Sequence, residues 1–143
     1  MKQSKKIILA LIIFSLMNVS CGFDHDKADT KNNKGKFKDY LKVDLTPDVK
    51  DIYCFGDFIG IDSSVYFSFT CDSTTIQRII DRNNLVLSDS YDRGLSLNYN
   101  FTWWDEEKIA KIRPYKTDEG GNLIQYLWYD KENKKAYYQK FSI

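Results

Sequence analysis

The sequence predicts a small α+β domain: an antiparallel sheet built from two hairpins and a middle strand, covered by one or two helices. Three observations carry that expectation. Residues 52–60 and 65–71 are two β-rich runs around the turn-forming stretch 61–64. Residues 72–84 put Ile76, Ile79 and Ile80 on one helical face and Gln77, Arg78, Asp81 and Arg82 on the other. Residues 123–129 and 135–141 flank the polar turn 130–134 and include Tyr126, Trp128, Tyr129, Tyr137, Tyr138 and Phe141, which marks a second hairpin.

In chain order, a leader comes first. Lys2, Lys5 and Lys6 precede the apolar run 7–17, and Asn18-Val19-Ser20-Cys21 follows. Positive charge before a short apolar run is the pattern of a secretory signal peptide. The run is too short to span a membrane as a helix, which takes about 20 apolar residues. Small Ser20 directly before Cys21 resembles the end of a bacterial lipobox, with Asn18 where that family usually has Leu. The resemblance covers the first 21 residues. It implies removal of residues 1–20, a diacylglyceryl group on Cys21, and a further acyl chain such as palmitate on the new amino terminus. More than one buried chain gives stable anchoring where one would be marginal. The implied location is the cell envelope: a bacterial membrane, the outer one in a Gram-negative cell, with the protein facing the periplasm or exterior. A soluble secreted protein cut nearby and an uncleaved helix are the alternatives.

Residues 21–39 read as a tether. Charged and amide side chains dominate, and Phe23 and Phe37 are the only large apolar residues after Cys21. Such composition does not order itself. A coil of this length reaches roughly 20–25 Å from its anchor. The folded domain is expected over 40–143, entered through a short edge strand or a docked extended segment, in which Leu41, Val43 and Leu45 alternate with Lys42 and Asp44 before Pro47 breaks it.

For the first hairpin, a four-residue loop at 61–64 pairs Gly60 with Val65. In that register Phe58 faces Phe67, Gly56 faces Phe69, and Cys54 faces Cys71. The chain has three cysteines, an odd number for an exported protein. Lipidation of Cys21 leaves Cys54 and Cys71 as a pair in an oxidising compartment. A Cys54–Cys71 disulfide would close a loop of about 18 residues, worth about 3 kcal/mol in chain entropy. Two buried free thiols are the alternative.

Beyond the helix over 72–84, residues 85–88 alternate and 88–94 form a polar loop. Residues 95–101 alternate again as the middle strand, and 103–112 form a short helix that must end before Pro114. Residues 117–122, with Gly120-Gly121, are a loop.

The composition excludes several functions. Without its leader the chain keeps 18 of its 21 basic residues and all 20 acids, a net charge of −2, with no basic stripe for nucleic acid. The single histidine, His25, lies in the expected tether, away from any nucleophile a Ser-His or Cys-His site requires. Zinc-ligand clusters and phosphate-binding glycine loops are absent from the sequence. Asp57, Asp62, Asp105, Glu106 and Glu107 are carboxylates, but their spacing selects no pair for glycoside hydrolysis. The expectation is therefore no catalytic residue, no cofactor and no metal. The best recognition residues are the aromatics: one of Trp103 and Trp104, then Tyr129 and Tyr137, with core packing as the competing role. The expected function is that of a non-enzymatic binding or envelope accessory module, with the membrane and a protein as partners. The alternative is an inhibitor or immunity protein against a toxin or a cell-wall hydrolase, on analogy alone.

Overall fold

The computed structural model describes residues 22–59, 62–89, 100–118 and 122–142. The leader with Cys21, most of the middle strand expected over 95–101, and the Gly120-Gly121 loop centre lie outside the described residues. The class is α+β. Among the described residues six antiparallel strands form one open sheet in the order β1-β2-β6-β5-β4-β3. They are β1 (Lys50–Ile59), β2 (Asp62–Thr70), β3 (Val86–Leu87), β4 (Tyr115–Asp118), β5 (Leu123–Asp130) and β6 (Lys135–Ser142). Among the described residues three helices accompany them: α1 (Lys31–Leu41), α2 (Ser73–Asn83) and the single turn α3 (Glu106–Ile109).

The main correction concerns the amino-terminal segment. Residues 31–41 are a helix and part of the core. Thr30 caps α1 by accepting a hydrogen bond from Asn33 N through its side chain, and Lys42 ends it in the left-handed conformation. The buried side chains Asn33, Phe37 and Leu41 recur every four residues along one face. The segment is polar on average because that stripe is one residue wide. The lysines on its remaining faces dominate the composition and hide the stripe. Residues 31–41 therefore belong to the folded module, and where a strand or docked segment is expected over 41–45, Leu41 ends α1 and a connection follows whose Val43 and Leu45 pack against the core.

The first hairpin holds a second correction. β1 pairs with β2 so that Ile59 faces Asp62 and Cys54 faces Phe67. The connection is two residues long instead of four. Each strand keeps its predicted inward face, because the shift is even. The cysteines, however, are separated. Lys50 pairs with Thr70, so Cys71 lies beyond the far end of the ladder, about 13 Å or more along the strands from Cys54. A disulfide needs its Cα atoms within about 7 Å. Both cysteines are buried free thiols.

Alternation along the strands makes two buried clusters, one on each face of the sheet. Phe67, Phe69, Leu127 and Tyr138 point to one face, where they join Phe37 and Leu41 of α1 and Ile76 and Ile79 of α2. The Phe37 ring meets Phe69 edge-on at 4.9 Å. Asn83 at the end of α2 donates to Leu41 O at 2.8 Å and ties the two helix ends together. Tyr66, Tyr126, Trp128 and Phe141 point to the other face, where Trp103, Trp104 and Ile109 cover them. The connection through 100–112 is thus the lid of an aromatic core. The expected helix over 103–112 shrinks to α3, because Asp105 caps at Lys108 N (2.9 Å) and the two tryptophans precede that cap in a turn.

Candidate functional site: the amino-terminal seam

Residues 22–30 run along the outer edge of β1, and one buried amide organises them. Asn33 Nδ2 lies within hydrogen-bonding distance of three carbonyl oxygens: Lys27 at 2.8 Å, and Asp24 and Ile52 at 3.0 Å. Asp29 adds a two-pronged contact. Its carboxylate accepts from Asp51 N at 3.0 Å and Ile52 N at 3.1 Å, while its own N–H donates to Ile52 O. These bonds fall where β1 is irregular, between Lys50 and Tyr53, with Asp51 at a φ of 53°. The irregularity turns backbone groups outward, and the segment before α1 satisfies them in place of another strand.

Two aromatic contacts fasten the seam further along. The Phe23 ring lies so close over Gly56 that a Cβ there would sit 2.2 Å from it. It stacks on Phe58 with centroids 5.7 Å apart, and Lys36 Nζ stands 4.1 Å from its centre. Phe58 is 56% exposed. His25, the only histidine, sits at the surface against Phe101 at 5.3 Å and Phe55 at 6.1 Å. Its carbonyl accepts from Trp103 Nε1 at 2.7 Å. The Asp24-His25-Asp26 run thus acts through its backbone and one ring. Among the described residues no group of three or more His, Cys, Asp and Glu side chains is arranged to hold a metal ion.

The aromatics singled out for recognition are mostly spent on packing. Trp103 stacks on Phe101 (4.9 Å) and Tyr53 (5.8 Å), and Trp104 meets Tyr66, Tyr137 and Trp128 edge-on. Both tryptophans are 8% exposed. Adjacent residues share the core because they sit in a turn, where the alternation of a strand and the rotation of a helix do not apply. Tyr137 is buried too, and burial together with Asp105 and Asp130 pushes its phenol up to about 12. Tyr129 donates to Cys71 O at 3.0 Å.

The thiols are poor nucleophiles. Burial pushes Cys71 up to about 12, with the carboxylates of Asp48 and Asp72 adding to the effect. Burial raises Cys54 as well. A reactive cysteine needs the opposite environment. Of the carboxylates, Asp57 lies on β1 opposite Ser64, Asp105 caps α3, and Glu106 and Glu107 occupy its first turn. The side chain of Asp62 is outside the described set. Sequence reasoning missed Asp48. Its Oδ2 accepts from Asp72 N at 3.0 Å and Thr75 Oγ1 at 2.7 Å, doing the capping work at the start of α2 that the Asp72 side chain does not. Asp72 instead pairs with Lys134 at 2.7 Å.

Comparisons with protein-family models, with curated proteins and with solved structures each return no match. Among the described residues no helix is long and apolar enough to cross a membrane.

Proposed function

We propose that this chain is a bacterial envelope lipoprotein. An acylated Cys21 holds it to the membrane, and the residues after it form a non-enzymatic binding or accessory module facing the periplasm or the exterior. The observation that carries this reading is the leader pattern itself, in which Lys2, Lys5 and Lys6 precede the apolar run 7–17 and Ser20 precedes Cys21. Among the described residues the buried core runs from Phe37 to Phe141, with Phe23 packed against it, so the module that would follow an acylated Cys21 is folded from its first residues on. The finer architecture belongs to the same reading: hairpins β1–β2 and β5–β6 form the frame, and α1 and α2 lie over one face.

The roles of His25 and of the two thiols support a binding module over a catalyst. The imidazole leans on two phenylalanines, and burial keeps both thiols protonated. The test is metabolic labelling with a palmitate analogue. Wild-type protein is expected to incorporate label and sediment with membranes, and Cys21→Ser to do neither. Unchanged labelling of the variant overturns the anchor. Crosslinking on intact cells then identifies the partner. A single stoichiometric toxin or cell-wall hydrolase would make the module an inhibitor or immunity protein.

A further inference from the structure

We propose that Phe23, Phe58 and Lys36 form a membrane-seating surface that holds the domain directly against the lipid bilayer, in a fixed orientation, beside the acyl chains of Cys21. The inference rests on the lipid anchor proposed above and adds what the anchor does to the folded module.

The argument starts from where the ordered chain ends. Asn32 Nδ2 donates to Gly22 O, so the backbone is tied to the domain up to the residue next to Cys21. Two residues span at most about 7 Å. The lipidated position therefore lies within that reach of Phe23, which stacks on Phe58. No slack remains to hold the domain away from the membrane. The bilayer surface must meet the protein near these two rings.

The residues there suit that contact. Phe58 is one of three exposed large apolar side chains among the described residues; the others, Val86 and Leu87, are on β3 at the opposite sheet edge. An isolated exposed phenylalanine is ordinary. This one is stacked on the ring two residues after the anchor and has a lysine beside it. Ring edges can enter the headgroup boundary, and a lysine stem can lie along apolar surface while its ammonium reaches phosphate oxygens. The orientation has a consequence for partners. The β3 edge lies five strand spacings, about 24 Å, from the β1 edge that is seated.

The experiment places a photoreactive benzoylphenylalanine at position 58 of the full chain, in bacterial membranes. A second protein carries it at Glu132, exposed in the turn at the other end of the strands. Acyl labelling of Cys21 is read in the same samples. The expected result is a phospholipid adduct at position 58 several-fold above that at position 132. Intact acyl labelling with no lipid excess at position 58, or with a protein adduct there instead, overturns the seating surface and leaves the anchor standing. Absent acyl labelling overturns both.

Discussion

The Asn33 side-chain amide lies 3.0 Å from the carbonyl oxygen of Ile52, across the seam between α1 and β1. This contact joins a residue of apparently tether-like sequence to the irregular start of an edge strand. Its burial is complete, and the same nitrogen serves Asp24 O and Lys27 O. A buried amide with several acceptors is costly to remove, because the carbonyls left behind lose their partner in a dry place.

Replacing Asn33 with Leu is therefore expected to destabilise the domain by about 2 kcal/mol, the scale for stranding buried polar groups. Replacing Phe37 with Ala is expected to cost about 4 kcal/mol, since its ring is fully buried against Phe67 and Phe69. Urea unfolding of the two variants measures both effects. A disordered tether over 21–39 would give no change for either.

The thiol chemistry has a simple readout. Alkylation of the native protein should proceed slowly at both Cys54 and Cys71, and both should react fully in denaturant without a reductant. Intact mass before and after unfolding counts the modified thiols. The register argues for this outcome, since it sets Phe67 and not Cys71 opposite Cys54. Protein isolated with both thiols blocked as a disulfide would require a different β1–β2 register.

Acid should weaken the domain through Asp48. Its carboxyl is held down to about 2 from an ordinary 3.8 by hydrogen bonds from Thr46, Thr75 and Asp72, which outweigh the opposing effect of burial. A group with a lowered folded-state value contributes its full stability above the unfolded value and loses it as pH falls through the folded one. The contribution is thus complete above about pH 4 and declines towards pH 2. The same window applies to Asp130, held down to about 2 chiefly by Lys108 and Asn133. Asp48→Asn should be less stable than wild type at neutral pH, with a smaller loss between pH 4 and 2. Urea midpoints measured across that range test the sign, and an unchanged slope would remove Asp48 from the acid response.

Gly56→Ala tests the seam locally. The added methyl group would collide with the Phe23 ring, which is the free end of a side chain and can swing away. Global stability is expected to change by less than about 1 kcal/mol, the usual scale of a surface rearrangement. Amide exchange in residues 22–28 is expected to accelerate while exchange in β2 and β6 stays unchanged. Uniform acceleration across the sheet would mean that Gly56 supports the whole fold and not the seam.

Several elements were legible from the residues alone. Ile76, Ile79 and Ile80 marked α2, which Asn84 ends in a left-handed conformation that asparagine tolerates. The aromatic runs marked β5 and β6, which pair from Leu123 with Ser142 to Asp130 with Lys135. In each case the periodicity is local, so side-chain order along the chain is enough. The candidate site was not legible. Phe23 had no visible partner in sequence, and Asn33 looked like solvated polarity.

What the sequence determined by itself is the alternation of strands β1, β2, β5 and β6, the face of α2, the turn signals between them, and the leader pattern that ends at Cys21. Only the tertiary structure decided the hairpin register, the separation of Cys54 from Cys71, the burial of both Trp103 and Trp104, and the place of residues 22–41 in the fold. The physical reason is common to all four. Each depends on a partner distant in sequence: Phe67 for Cys54, Trp128 for Trp104, Ile52 for Asn33 and Gly56 for Phe23. Local pattern says which way a side chain points, and only the assembled sheet says what it meets there.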